Sequence, residues 1–295
     1  MREGGQGSGS GGSRPSVTWS RRLRQRLAPN GMAVAGLVVV ALVGLAALSA
    51  PVLTRHDYRE QQLSKALLPP FWMHGADPAH PLGTDQLGRD LWSRIVHGAR
   101  TSLLVGVGGV GLAGFLGVTL GLVAGFWGRW VDDVVMRLVD VQLSFPPIFL
   151  VVAIMAVIGQ SLLNVVLVLG VVTWVQYARV VRGSTLAIRE REFVEGARAL
   201  GAGTARLLLR HVLPNVLPPT LVIATVNVSS LILAEAALSF LGLGVRPPTP
   251  AWGSMLAEGR EVFRIAWWNA VFPGLAILVA VLGINLLGDG LDDRP

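Results

Sequence analysis

The sequence predicts an all-α polytopic membrane protein with six transmembrane helices. Of its 295 residues, 52% are hydrophobic and only 15% are charged, whereas an average soluble domain has about 25% charged residues. The mean hydropathy of +0.57 over the whole chain is hard to reconcile with a surface that faces water throughout. In addition, charge is missing in long blocks, and these blocks have the length that a lipid bilayer requires.

Five blocks of the sequence contain no charged residue, and crossing roughly 30 Å of hydrocarbon takes about 20 apolar residues. The blocks are residues 31–54, 101–128, 141–178, 212–234 and 265–288. The third block is too long for one span and carries Gly159, Gln160, Ser161 and Asn164 near its middle, which predict a turn. It therefore counts as two helices, which gives six spans. None of these runs alternates as the strands of a membrane barrel do.

The N-terminal part of the chain divides into a tail, a span and an outer segment. Residues 1–30 are predicted to be a cytoplasmic basic tail, in which residues 4–13 form a disordered Gly/Ser tract. Residues 31–54 form TM1. A cleaved signal peptide is the alternative, but cleavage after Ala50 would leave Leu48 and Pro51 at unfavourable positions. Residues 55–100 are predicted to be an extracytoplasmic segment with an amphipathic helix.

Residues 101–295 form the predicted membrane core, whose elements follow from the apolar blocks and the turn residues between them. Their order is TM2 (101–128), TM3 (134–159), TM4 (162–181), a basic loop (182–213), TM5 (214–241), an outer loop (242–268) and TM6 (269–288). If the N-terminus is cytoplasmic, 16 of the 25 basic residues lie inside and nine outside. The positive-inside rule therefore favours an N-in, C-in orientation.

The extracytoplasmic segment contains the predicted outer helix, residues 86–97, after a Gly-Thr-Asp turn. Its apolar face is formed by Leu91, Trp92, Ile95 and Val96. The candidate functional residues at this helix are Asp85, Gly88, Arg89 and Asp90. We expect the helix either to rest on the outer membrane surface near a partner protein or to brace TM1 and TM2.

Several motifs for chemistry are absent or misleading. Gly106, Gly108 and Gly111 spell a dinucleotide-binding pattern, but they lie within an apolar run and are better interpreted as a surface for helix packing. A Walker A loop needs a lysine after its glycines, and the single lysine, Lys65, lies between Ser64 and Ala66. The chain has no Cys and its five His residues lack metal-ligand spacing. We therefore predict no catalytic residue, no metal site and no cofactor in this chain.

The basic loop is the most informative segment of the sequence. Its first half is amphipathic, with Phe193, Ala197 and Leu200 at helical spacing. Residues 201–203 then break this helix, Thr204 is placed to cap a second short helix, and Pro214 is expected to end that helix before TM5. Seven arginines in this part of the chain could also serve only to fix topology.

This loop resembles the EAA-x-x-x-G…LP signature of the inner-membrane permeases of binding-protein-dependent ABC importers. The residues that carry the resemblance are Glu195, Gly196, Ala197, Gly201, Leu213 and Pro214, with Gly196 standing where the family usually has Ala. The resemblance implies the type I permease architecture of ABC importers. It also implies that these residues belong to a coupling loop that contacts an ATPase subunit.

Further stretches resemble one branch, the C-type permease subunits of dipeptide, oligopeptide and nickel importers. They are HPLGTDQLGRD, WVQYARVVRG, REREFVEGARALGA, EAALSFLGLGVRPPTPAWG and FPGLAI…NLLGDGLDD. The implied setting is the bacterial cytoplasmic membrane, and no nucleic acid is expected. The implied partners are a homologous B-type permease, two ABC ATPase domains on one or two chains that bind ATP and Mg, and an extracytoplasmic substrate-binding protein.

Two features of the outer half leave alternatives open. Glu235 lies close to the outer end of TM5 and either faces the translocation path or pairs with an Arg and holds the following loop in place. The outer loop, with its prolines and tryptophans, is either a docking surface or a cap over the pore. A secondary transporter is disfavoured because the apolar blocks hold almost no ionisable residue. Short peptides are the expected cargo, with nickel, glutathione or haem-like cargo as alternatives.

Overall fold

The computed structural model describes residues 31–292, and this part of the chain is helical apart from loops and one isolated antiparallel bridge between Thr84 and Asp90. The basic tail predicted for residues 1–30, with its Gly/Ser tract at 4–13, lies outside the described residues. We number nine helices in chain order. They are α1 (Gly31–Leu48), α2 (Leu91–Trp127), α3 (Arg129–Leu143), α4 (Pro147–Ile158), α5 (Leu162–Arg189), α6 (Glu192–Ala199), α7 (Thr204–Phe240), α8 (Trp252–Glu261) and α9 (Trp268–Asp292).

Five of these helices are long and apolar enough to cross a membrane, namely α1, α2, α5, α7 and α9. The sixth span is the bent pair α3 and α4, if the two helices are counted as one broken span. The all-helical, six-span prediction is therefore confirmed. Several helices extend beyond the predicted spans: α5 continues to Arg189 and α9 begins at Trp268. A helix ends where its hydrogen bonding ends, and an arginine at its last turn does not stop it.

Close helix packing is built on small residues. A Cβ atom added to Gly117 would lie 2.4 Å from Tyr177 Cβ, and one added to Gly121 would lie 2.6 Å from Ala178 O. These contacts bring α2 against α5 with almost no space between the two backbones. A Cβ on Gly36 would lie 2.4 Å from Leu287 N, so α1 packs equally closely on α9. Of the glycines named in the sequence analysis, Gly106 confirms the packing interpretation, since a Cβ there would lie 2.9 Å from Ile232, whereas Gly111 has no atom within 4 Å.

The prediction of TM3 as one helix over residues 134–159 was wrong. The structure has α3 and α4 instead, bent by 87° at their junction. Pro146 and Pro147 cause the break, because the residue before a proline avoids the α conformation and proline donates no hydrogen bond. Pro147 is then well placed as the first residue of α4.

The prediction of a separate outer helix over residues 86–97 was also wrong. Residues 85–90 form a turn, and the helix begins at Leu91 and runs without interruption for 37 residues to Trp127. Asp90 stands at its N-cap and accepts a hydrogen bond from Ser93 N at 2.8 Å. The helix continues through Gly98 and no proline separates His97 from Thr101, so the outer helix and TM2 are one element.

The second half of the basic loop differs from its prediction as well. Thr204 is the first helical residue and Gly203 occupies the N-cap position. Pro214 does not end the helix, which continues into the membrane as part of α7. A π-helical segment over Leu207–Val212 ends two residues before the proline. The change of hydrogen-bond register there lets the chain accommodate a residue that donates no hydrogen bond.

Candidate functional site

The loop between α5 and α7 contains one short helix, α6, that is held by a single buried side chain. Val194 is fully buried and is the one buried residue of α6. Glu192 and Glu195 lie in the first turn, where carboxylates interact favourably with the helix dipole. Phe193 and Leu200, expected on the apolar face, are 47% and 90% exposed. Apart from Val194, the large apolar side chains of this segment are therefore largely open to the surroundings.

The turn that follows α6 has a defined backbone geometry. The N–H of Ala202 donates to Ala197 O at 3.0 Å, and the N–H of Gly201 donates to Arg198 O at 3.0 Å. Gly201 has a φ of +81°. These three observations define a Schellman motif, in which a residue other than glycine costs about 1 kcal/mol. The glycine of the EAA-like signature is thus explained by the backbone of this chain alone.

The structure brings four of the predicted coupling residues into one exposed stretch. Glu195, Gly196 and Gly201 are exposed and Ala197 is half-buried. A Cβ added to Gly196 or Gly201 would meet no atom within 4 Å. A contact between the rings of Phe193 and His211, with centroids 6.4 Å apart, joins α6 to the π-helical segment of α7.

The other two predicted coupling residues lie beyond this segment. Leu213 is partly buried and Pro214 is exposed, both just after the π-helical turn. They therefore belong to the base of α7, while α6 carries Glu195, Gly196 and Ala197 and the turn after it carries Gly201. The role of all six residues as ATPase contacts stays a prediction.

On the side predicted to be extracytoplasmic, four charged residues form what we call the ion-pair cluster: Asp85, Arg89, Arg94 and Glu258. Arg89 Nε lies 2.6 Å from Asp85 Oδ2, and Arg94 Nη1 donates to the same oxygen. Glu258, on α8, accepts hydrogen bonds from Arg89 Nη2 at 2.9 Å and from Arg94 Nη1 at 2.8 Å. The side chains of Asp85, Arg89 and Arg94 are at most 7% exposed. Two cations and two anions thus balance in a buried setting, which such charges require.

The turn before α2 is fixed by backbone geometry as well as by charge. Asp85 Oδ1 accepts hydrogen bonds from the N–H groups of Leu87 at 2.8 Å and Arg89 at 3.0 Å. Gly88 has a φ of +72°, and a Cβ there would lie 1.9 Å from Gln62 O. Asp85, Gly88, Arg89 and Asp90 are therefore brought together, but in a turn and not in the helix predicted for them. Asp85 Oδ1 bonding to the following backbone produces the turn, and Gly88 stops any helix from beginning earlier.

His80 extends the polar arrangement around Asp90. Its Nδ1 atom lies 3.0 Å from Asp90 Oδ1, and both side chains are 3% exposed. Asp90 thus caps α2 and fixes the imidazole at the same time. Among residues 31–292, no group of three His, Asp or Glu side chains is placed to hold a metal ion.

Glu235 is completely buried near the outer end of α7. Ser239 Oγ donates to its Oε1 at 2.6 Å, and Ser102 Oγ on α2 donates to its Oε2 at 3.4 Å. The Arg partner expected from the sequence was wrong, since no ion pair of the described residues includes this carboxyl. Two serines replace it, so the side chain joins α7 to α2. Its role in a translocation path stays untested.

Sequence reasoning missed the members of these clusters that are far apart along the chain. Arg94 and Glu258 are separated by 164 residues, and Ser102 and Glu235 by 133. Spacing arguments cannot join such residues. The one available signal was Arg94 itself, an arginine among the apolar residues Ile95 and Val96, because a charge in such a setting needs a partner.

Comparison with known proteins identifies the relatives of this chain. Residues 117–294 match the family described as binding-protein-dependent transport system inner membrane component. Residues 18–70 match the N-terminal transmembrane domain of oligopeptide transport permease C. The resemblance found in the sequence is therefore confirmed, including its C-type branch.

Individual relatives cover nearly the whole chain. The di/tripeptide transport system permease protein of Pseudomonas aeruginosa is 45% identical over 95% of this chain and 94% of its own length. The glutathione transport system permease protein of Pectobacterium atrosepticum is 41% identical over 93% and 88%. Among solved structures, an inward-facing form of the MetNI methionine ABC transporter matches with a TM-score of 0.56 at 21% identity, covering 68% of this chain and 94% of that one. That match supports the fold, and the predicted permease architecture is confirmed.

Proposed function

The chain belongs to the family of binding-protein-dependent transport system inner membrane components, and we propose that it is the C-type permease subunit of an ATP-driven importer of short peptides. It is an inner-membrane protein with the architecture of an ABC importer permease. The observation that carries the proposal is the open apolar surface at the C-terminal end of α6, where Leu200 at the C-cap is 90% exposed. An apolar side chain in that position needs a partner.

The partner at this face is one of two ABC ATPase domains, on one chain or two. These domains bind ATP and Mg and hydrolyse the nucleotide, while this chain contributes no catalytic group. The position of its single lysine supports this assignment of ATP hydrolysis to the partners. Lys65 lies in the segment between α1 and α2, where its Nζ forms an ion pair with Asp77 Oδ2 at 2.8 Å. The chain therefore converts movement of its partners into movement of its spans.

The remaining partners are a homologous B-type permease, an extracytoplasmic substrate-binding protein and the lipid bilayer. Large apolar side chains are exposed along several helices, as a membrane protein requires. Examples are Phe115 at 70%, Phe149 at 69%, Val157 at 85% and Leu163 at 65% exposed. Lipid and the second permease cover such surfaces in the assembled importer.

Short peptides are the proposed cargo, since the relatives with 40–45% identity include permeases named for dipeptides and di/tripeptides. Glutathione is the second candidate, favoured by the 41% identical glutathione permease. Glutathione is itself a peptide-like molecule, so one path can serve both. Nickel and haem-like cargo are further alternatives that no feature of the described residues favours.

The assignment is tested by purifying the tagged chain from native membranes. ATPase subunits should copurify with it, and Leu200→Asp should abolish this while leaving the amount of chain in the membrane unchanged. Leu63→Asp is the matched control, because Leu63 is 70% exposed but lies at the other end of the molecule. Failure of the unaltered chain to retain any ATPase would reject the proposed function.

The substrate is tested on the assembled complex in proteoliposomes. Dialanine, reduced glutathione and nickel chelates are supplied in turn with the cognate binding protein, and the stimulation of ATP hydrolysis is measured. We expect the dipeptide to give the largest stimulation. Stimulation by a nickel chelate alone would overturn the peptide assignment and leave the importer assignment intact.

A further inference from the structure

Helix α3 is fastened to α5 by two polar links. At one end, Arg182 forms a bidentate ion pair with Asp132. Its Nε donates to Oδ1, and its Nη2 donates to Oδ2 at 2.5 Å. Ten residues further along α3, Gln142 Nε2 donates to Val172 O at 2.6 Å, and Trp174 Nε1 donates to Gln142 Oε1 at 2.9 Å. The two helices therefore run antiparallel, with one link near each end of α3.

Buried side chains fill the space between these links. Val135 and Val139 of α3 form one apolar cluster with Val175 and Ala178 of α5. The described side-chain hydrogen bonds from α3 to other helices all go to α5. The opposite face of α3 is open, as the 73% exposure of Trp130 shows. The polar links of α3 therefore all go to α5, whereas its apolar face packs on α2 as well as on α5.

The link at Asp132 lies next to the coupling loop. Arg182 is seven residues before the end of α5 at Arg189, and α6 begins at Glu192. Arg189 in turn donates to the carbonyl of Gly125 at 2.9 Å, in the last turn of α2. The C-terminal end of α5 thus holds α2 through one arginine and α3 through another.

We propose that the Asp132–Arg182 ion pair is the link through which α5 carries movement of the coupling loop into α3 and the bent span. The inference rests on the proposed function and adds a positioning role for two residues outside the loop. A fork-like guanidinium–carboxylate pair resists both sliding and rotation, so it transmits displacement better than apolar contact alone. Movement of α6 that tilts α5 then moves α3 with it.

The first experiment uses the complete importer, with its partner permease, ATPases and binding protein, in proteoliposomes. The measured quantity is radiolabelled dialanine taken up per ATP hydrolysed. Asp132→Asn should lower this ratio by about fivefold or more, with the ATPase rate within about twofold of the unaltered complex. Asp133→Asn is the matched control, because Asp133 is exposed on the adjacent position. The exchanged pair Asp132→Arg with Arg182→Asp should restore a large part of the ratio.

Equal ratios for the two asparagine variants would overturn the proposal. So would a proportional fall of uptake and ATP hydrolysis in Asp132→Asn, because that pattern indicates a merely structural role. An unaltered complex that hydrolyses ATP without any uptake of dialanine would count against the proposed cargo and not against the link.

A second measurement does not depend on how the variants fold. The chain has no cysteine, so spin labels can be attached at Leu138→Cys on α3 and Gln176→Cys on α5, both exposed positions. In the otherwise unaltered complex, the distance between these labels should be the same in the nucleotide-free and ATP-trapped states. A distance that differs between the two states would show that α3 moves independently of α5 and would reject the link.

Discussion

The ion-pair cluster and the coupling loop are both rich in arginine and glutamate, yet they are built in opposite ways. In the cluster, Asp85 and Arg94 are at most 5% exposed and every charge has a partner within the chain. In the loop, the ion pair between Arg189 and Glu190 spans 3.7 Å, and the Glu190 side chain is 73% exposed. The cluster is complete in this chain, whereas the loop leaves charges and apolar groups exposed.

The comparison shows that burial decides how much a charged residue contributes to the stability of the fold. Exposed ion pairs contribute about 0–1 kcal/mol, whereas removing one partner of a buried pair costs about 3–5 kcal/mol. The cluster should therefore govern folding and the loop should govern assembly. The following predictions test that division, beginning with the largest expected effect.

Asp85→Asn should destabilise the protein most. It leaves Arg89 and Arg94 with one carboxylate between them, which costs about 3–5 kcal/mol in a buried site. Thermal unfolding of the purified complex in detergent measures the effect. Glu195→Gln in the coupling loop is the control and should change stability by less than about 0.5 kcal/mol. Similar losses in both variants would remove the distinction between the two regions.

Gly88→Ala and Gly201→Ala form a matched pair, because both glycines have a positive φ. At Gly88 the new Cβ would also meet Gln62 O at 1.9 Å, whereas at Gly201 the space is open. We expect a loss of more than about 2 kcal/mol in the first case and about 1 kcal/mol in the second. Denaturation of the two variants side by side gives the comparison, and an equal loss would contradict the packing of the turn against Gln62.

Glu235→Gln should be milder, because an amide still accepts the hydrogen bond from Ser239. We expect a loss of about 1 kcal/mol or less and dialanine uptake within about twofold of the unaltered complex. Ser102→Ala, which removes a longer bond of 3.4 Å, should cost less still. Strongly reduced uptake at unchanged stability would instead support a role of this carboxyl in the translocation path.

Lys65→Ala should have the smallest effect on stability and should also change its dependence on pH. The hydrogen bond from Lys65 lowers the pKa of the half-buried Asp77 carboxyl below its ordinary value. Because the folded pKa is lowered, the pair stabilises the fold above the unfolded pKa of about 3.9, and this contribution is lost as the pH falls through the folded pKa. An NMR titration of labelled aspartate should show the Asp77 midpoint rising in Lys65→Ala and staying low in Lys65→Arg.

Much of this architecture could be predicted from the sequence, because lipid imposes a strong and local rule on composition. The apolar blocks located all six spans, and the glycine spacing of TM2 indicated its packing surface. Helix ends were harder to place, since a charge such as Arg182 or Arg189 does not end a helix. The break at Pro146 was visible only as two prolines within a long apolar block.

The residues of the candidate sites also differ in how well the sequence predicted them. Gly201 could be recognised because its role depends on six consecutive residues and their backbone. Glu258 and Ser102 could not, because their partners lie more than 130 residues away in the sequence. An Arg partner for Glu235 was a reasonable expectation from charge alone, but two hydroxyl groups satisfy the carboxyl in the folded chain.

The uninterrupted helix α2 connects the two regions that this comparison set apart. Its 37 residues make it about 55 Å long, nearly twice the thickness of the hydrocarbon layer. One end is held by Arg189 beside the coupling loop, and the other begins next to Asp85 and carries Arg94. A rigid rod of this length is a lever: a tilt of about 5° at one end displaces the other by about 5 Å. A small rotation of α2 at the end beside the coupling loop would therefore displace the ion-pair cluster at its other end by several ångströms.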